Sequence, residues 1–192
     1  MNRIQVLPLG NVPNGMLAEL CRGLGEEFGA RCELLEGEPM PARAFNVSRQ
    51  QYSSTEILAG LAGRKIADTS RLIAVTGSDL YVPVLTFVFG EAQTEGQCAV
   101  VSTHRLRQEF YGLPADARLE SLRLEKEAVH ELGHTLGLAH CENYECVMAA
   151  SHAVEWIDLK GGRFCAMCRR GLECRGRKAA EISSARPSRD SW

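Results

Sequence analysis

The segment His130-Glu131-Leu132-Gly133-His134 sets two imidazoles four residues apart, with a carboxylate between them. On a helix that spacing puts both rings on one face, about one turn apart, where they can hold a single ion. Imidazole is a preferred zinc ligand, and the pattern His-Glu-x-x-His is that of zinc-dependent peptide hydrolysis. Glu131, one residue round the helix, is then placed to take a proton from water that the ion acidifies toward a pKa of about 7. The run continues Leu136-Gly137-Leu138-Ala139-His140. A straight helix would carry position 140 roughly three turns past His130, so the chain has to fold back for His140 to become a third ligand. Gly137 permits this, because a residue without Cβ enters the left-handed region cheaply. Three protein ligands leave one coordination position open.

Eight cysteines supply a second set of candidate ligands. Cys141 directly follows the third histidine, Cys146 comes soon after, and Cys165-Ala166-Met167-Cys168 forms a Cys-x-x-Cys pair. Four thiolates are the commonest make-up of a closed structural zinc site. Two disulfides or buried free cysteines are the competing readings, and Cys174 could replace one ligand. Cys21, Cys32 and Cys98 fall where helix or strand is expected and read as small core residues. The opening residues break their apolar stretch with Pro8, Gly10 and Pro13, unlike a signal peptide, and no inhibitory pro-segment is visible ahead of the first expected strand. A cytoplasmic, reducing location is expected, which favours metal over disulfides.

These residues need a frame. Ile4 to Leu9 reads as an opening strand, followed after Asn14-Gly15 by a helix with Leu17, Leu20, Cys21 and Leu24 on one face. Arg31 to Leu35 is a second strand, ended by the Pro-rich stretch Gly37 to Ala42. Ser53 or Ser54 caps a helix bearing Ile57, Leu58 and Leu61. Arg71 to Thr76 is a near-continuous apolar run, as in a strand buried on both faces at the centre of a sheet. Leu85 to Phe89 and Cys98 to Ser102 are two more β-rich stretches, parted by the turn-like Gln93 to Gly96. Arg118 to Leu136 is the helix that carries the histidines, with Leu119, Leu122, Val129, Leu132 and Leu136 as its apolar stripe. A single mixed α/β domain over residues 1–174 is expected, with 175–192 as a flexible tail that lacks apolar periodicity.

At 192 residues the chain has room for one sizeable core. Its 22 Lys and Arg against 24 Asp and Glu give no basic field, so neither nucleic acid nor an anionic membrane is an expected partner. The most apolar stretch, Tyr81 to Gly90, is far shorter than the roughly 20 residues of a membrane-spanning helix. A monomer acting on peptide or protein substrates is expected.

Taken together, His130-Glu131-x-x-His134-x-x-Gly137-x-x-His140-Cys141, then Cys146-x-Met148, then Cys165-x-x-Cys168, resembles the archaemetzincin family of zinc metallopeptidases, of the metzincin clan. Arg49-Gln50-Gln51-Tyr52, Asp79-Leu80-Tyr81 and Phe87-Val88-Phe89-Gly90 are similar to that family too. The resemblance implies a metzincin-like single domain: a twisted, mostly parallel sheet, an active-site helix and a cysteine-rich zinc-binding C-terminal segment. It implies two zinc ions per chain, a catalytic one on His130, His134 and His140 and a structural one on Cys141, Cys146, Cys165 and Cys168, with Glu131 as general base. Met148, which by residue type alone reads as a core methionine, would lie beneath the catalytic metal, and Leu85 to Phe89 would be the strand along which substrate lies. Tyr144 could help hold an oxyanion, but a packing role is the preferred reading. Two rival classes stay open: a catalytically weak zinc protein that captures peptides or partners, and a thiol redox or zinc-ribbon module on Cys165 and Cys168 that leaves the histidines unexplained. Cleavage from the amino end or within a chain is not decided by these residues.

Overall fold

The computed structural model describes residues 1–184. Its elements in chain order are β1 (Arg3–Leu9), α1 (Asn14–Phe28), β2 (Arg31–Leu34), β3 (Phe45–Asn46), β4 (Gln51–Ser53), α2 (Ser54–Ala62), β5 (Ser70–Thr76), β6 (Leu80–Tyr81), β7 (Gly90–Ala92), β8 (Cys98–Ser102), α3 (Ala117–Thr135), α4 (Val154–Leu159) and α5 (Ala166–Ser184). A five-stranded sheet runs in the order β2-β1-β5-β8-β7. Its first four strands are parallel, and β7 returns antiparallel to β8 through the expected turn. β5 is central, as its unbroken apolar run requires. A second, three-stranded sheet has the order β3-β4-β6.

Strand alternation divides the core in two. Ile4, Val6, Ile73, Val75, Ala99 and Val101 face α1 and α3, meeting Leu17, Leu20, Leu24, Leu124, Ala128 and Leu132. Their odd-and-even counterparts Leu7, Leu9, Leu72, Ala74, Cys98 and Val100 face α2, against Ile57, Leu58 and Leu61. A sheet with helices on both faces is the result, the layering that parallel strands demand. Two helices start on side-chain caps: Ser53 accepts from the Glu56 N–H, and Asp116 accepts from the Leu119 N–H at 2.9 Å.

Two expectations need correction. Leu85 to Phe89 is not a strand apart from one isolated bridge between Val88 and Leu80; the edge strand is β7, just beyond it. Carbonyls of Leu85 and Thr86 accept from the Arg49 guanidinium, and that of Thr86 also from Gln51, so side chains take the place of a ladder there. On α3 the buried stripe is Leu124, Ala128, Val129 and Leu132, while Leu122 is 48% exposed, because only the second half of the helix lies over the sheet. Of the expected tail, 175–184 continue α5, and residues 185–192 lie outside the described residues.

Candidate metal centre

The helix α3 ends in a Schellman turn that the sequence around Gly137 makes possible. Gly137 has φ of 84°, its N–H bonds the His134 carbonyl at 2.9 Å, and the Leu138 N–H reaches back to the Gly133 carbonyl at 3.0 Å. Reversal of the chain there brings His140 to His130 and His134, with ring centroids 5.2 and 5.0 Å away. One ligand atom from each of the three histidines lies within 4.8 Å of the others.

Hydrogen bonds choose the tautomers. Nδ1 of His130 faces the Val147 carbonyl at 2.9 Å, and Nδ1 of His134 faces the Leu138 carbonyl at 2.7 Å. A carbonyl only accepts, so each Nδ1 carries the proton and each Nε2 presents a bare lone pair. The two Nε2 atoms are 3.1 Å apart. Two lone pairs aimed at each other at that distance repel unless a cation lies between their directions. Nitrogens held about 2.0 Å from one tetrahedral ion would sit roughly 3.3 Å apart, so the cradle fits zinc. Burial, with the charge of Lys160 adding to it, holds His130 well below the ordinary imidazole range, and burial also lowers His134 and His140. All three rings are therefore kept in the neutral form that a metal takes.

Glu131 is buried beside this cradle. Its side chain lies against β7: a Cβ on Gly90 would come within 2.7 Å of its Cγ and 2.8 Å of its Oε1. Burial, and then the nearby negative charge of Glu127, push its carboxyl well above the ordinary range. Beneath the helix lies Met148, fully buried, with its sulfur against Gly133. The Met148 carbonyl accepts from the Cys141 N–H at 2.9 Å, so the loop after His140 closes onto the residue that packs under the histidines.

Cys141, Cys146, Cys165 and Cys168 form a second cluster, their sulfurs within 4.8 Å of one another. The separations Cys141–Cys165 and Cys146–Cys168 are 3.9 and 3.7 Å. Four sulfurs at about 2.3 Å from a tetrahedral ion are about 3.8 Å apart, whereas a disulfide would need about 2.05 Å. Cys165 precedes the first turn of α5, where the Cys168 backbone N–H, the largest influence, draws its thiol down to about 7. The start of α5 is held to α1 by Glu27, which accepts from Arg163 at 2.7 Å and Arg169 at 2.8 Å. Cys174 is exposed and stands outside the cluster; Cys98 is buried, and Cys21 and Cys32 are partly so against the core.

His130, His134 and His140 thus come together, as do Cys141, Cys146, Cys165 and Cys168, while Cys174 joins neither group. Tyr144 is not packed as expected; it is 75% exposed on the turn between them. Gly90 and the buried pair Glu127 and Lys160 were missed, the pair because a single Lys or Glu in a charged chain reads as solvated.

Known proteins resemble the chain over nearly its whole length. The model of peptidase family M54 matches residues 40–174. The archaemetzincin of Methanocaldococcus jannaschii is 44% identical over 174 residues, which cover 91% of this chain and 94% of that protein. Among solved structures, archaemetzincin from Archaeoglobus fulgidus complexed with malonate is similar with a TM-score of 0.76 at 38% identity, covering 88% of this chain and 98% of that one. A zinc-dependent peptidase from Methanocorpusculum labreanum has a TM-score of 0.81 at 31% identity, covering 88% and 99%.

Proposed function

The chain belongs to peptidase family M54, the archaemetzincins, and is a zinc metallopeptidase, and on that premise we propose that it hydrolyses peptide bonds at His130, His134 and His140, with Glu131 as general base and a second, structural zinc on Cys141, Cys146, Cys165 and Cys168. The observation that carries this reading is the convergence of two unprotonated Nε2 atoms at 3.1 Å beside a buried carboxylate. Zinc bound there supplies Lewis acidity, which acidifies water and polarises a substrate carbonyl. His130 and His134 hold the ion in a fixed orientation because Val147 and Leu138 fix their rings. Glu131 is not among the three side chains that converge and, in this reading, would receive the proton given up by water and return it to the leaving amine.

Substrate recognition follows from β7. It is the terminal strand of the sheet, it passes Glu131 at Gly90, and its ladder to β8 occupies one edge only. An extended peptide adding to the other edge gains backbone hydrogen bonds beside the metal. Gly90 keeps that strand close to the base, since any larger residue would meet Glu131 and the Val100 carbonyl. No helix among the described residues is long and apolar enough to cross a membrane. The reading includes a monomer working in the cytoplasm, where a reducing environment keeps the four thiols available to metal.

Glu131→Gln tests the mechanism. Zinc content and fold are expected to stay, while peptide hydrolysis falls by about 100 to 10,000-fold, the worth of a positioned base. Parent-like turnover by this variant would remove Glu131 from proton transfer.

A further inference from the structure

Lys160 and Glu127 form an ion pair inside the molecule, with side chains 2% and 4% exposed and Nζ 2.8 Å from Oε1. Oε1 makes no directed hydrogen bond, so the contact is a close charge pair. Burying two such charges is costly, and apolar side chains of similar size often serve stability as well or better. Docking of α4 onto α3 does not depend on it. Arg123 already grips Asp158 with two bonds of 2.7 and 2.6 Å, and the Lys126 ammonium donates to the Ile157 carbonyl at 2.8 Å.

The pair's place in the chain supplies another reason for it. Glu127 is on α3 one turn before Glu131 and just ahead of His130. Lys160 ends α4, and its ammonium also donates to the Ala149 carbonyl at 3.2 Å. Ala149 follows Met148, and the residue before that, Val147, offers the carbonyl that takes the His130 Nδ1 proton. Next to Lys160, the Gly161 N–H bonds the Glu145 carbonyl at 3.0 Å, holding the far end of the same loop. Arg123 and Lys126 touch α4, and Arg123 also the Leu106 carbonyl ahead of α3; Lys160 reaches both α3 and the loop under the histidines.

We propose that Glu127 and Lys160 are a positioning pair for the histidine centre: Glu127 fixes the Lys160 ammonium, and Lys160 fixes the Ala149 carbonyl and with it the Val147 carbonyl that orients His130. The inference rests on His130, His134 and His140 being the catalytic zinc ligands. Groups that orient a ligand typically change metal affinity by about 10 to 100-fold when lost.

The test uses the full chain and the double variant E127L/K160M, which replaces the charges with apolar side chains of similar length. Melting temperature, zinc affinity of the histidine site by chelator competition, and the visible spectrum of cobalt at that site, with zinc kept on the cysteines, are compared with the parent, alongside kcat and KM. The expected result is a melting temperature near the parent's, zinc affinity lower by about 10 to 100-fold, an altered cobalt spectrum, and reduced kcat with KM little changed. A folded double variant with parent-like affinity and spectrum overturns the proposal. Should it fail to fold, E127Q is measured at a temperature where circular dichroism shows it native: a drop in affinity supports the proposal and parent-like binding overturns it. Failure of both to fold assigns the pair to the fold alone and overturns it too. A parent whose cobalt spectrum does not depend on His134 would sink the assignment of the histidine site itself, whereas a parent that binds there and variants that match it remove only this inference.

Discussion

The sulfur of Met148 occupies the space in which a Cβ on Gly133 would lie: the two would be 2.5 Å apart, with Phe164 a further 3.2 Å contact. The glycine inside the histidine motif is therefore a packing residue for the methionine below it, which would have to shift if position 133 gained a side chain.

Gly133→Ala is expected to lower stability by about 1–3 kcal/mol, the usual cost of forcing an extra carbon into a closed core. Because Gly133 lies between two ligands on α3, zinc binding at the histidines should weaken with it. Adding Met148→Val to vacate the space should recover part of both losses. Thermal melts and zinc titration of the single and double variants check this, and a Gly133→Ala protein matching the parent in both would show the contact to be unimportant.

Removal of metal should occur in two stages. A site with three protein ligands exposes its ion to chelators, whereas four thiolates enclose theirs. Mild chelation is expected to abolish activity while circular dichroism stays native and one of two zinc ions remains. Cys165→Ser should drop the count to one and loosen the segment from Cys141 through the start of α5, since a closed site contributes folding free energy directly. Elemental analysis showing one zinc in the parent, or a Cys165→Ser chain with unchanged metal and melting, contradicts the two-site arrangement.

Asp79 gives a pH signature through contacts of its own. It accepts from Arg105 at 2.8 and 2.7 Å and from Gln51 at 2.8 Å. Burial, the largest single influence, pulls its carboxyl up, but the hydrogen bonds from Arg105 and Gln51 outweigh it and the net direction is down. A depressed folded-state pKa means that the unfolded chain binds the proton more readily, so the interaction contributes stability above the unfolded value of about 4 and is lost as pH falls through the lower folded value. Asp79→Asn is expected to destabilise by about 1–3 kcal/mol near neutral pH, with the difference from the parent shrinking steadily below pH 4. Denaturant melts at pH 7 and pH 3 measure it; an equal difference at both would exclude the carboxylate's charge as the cause.

What the sequence disclosed follows the range of each interaction. The histidine motif, the turn at Gly137 and the alternation of β1, β5 and β8 are local periodicities, and all are legible from neighbouring residues. The four cysteines could be grouped by metal chemistry even though they come from a loop and a helix. The edge strand was misplaced because Leu85 to Phe89 has β-rich composition, while its carbonyls are claimed by Arg49 and Gln51 from a distant segment. The need for glycine at position 90 is not legible from its neighbours, since its reason is Glu131 on another element. Tyr144 lies beside Cys146 in sequence, yet the tight turn there leaves its ring without a surface to cover.

Leu138 serves two purposes with one residue: its N–H closes the end of α3 on Gly133, and its carbonyl takes the Nδ1 proton of His134. Proton traffic therefore differs between the two centres. Once the helix end has formed, His134 has no proton on the nitrogen that would meet the ion, so zinc uptake there displaces none from that ring. Zinc on the cysteines would have to displace thiol protons, among them that of Cys168, whose thiol is pushed up by burial. Acid would therefore compete with zinc for Nε2 of His134 as directly as for a thiolate of the cysteines, because the bond from Nδ1 to the Leu138 carbonyl favours the protonated ring and gives it no protection.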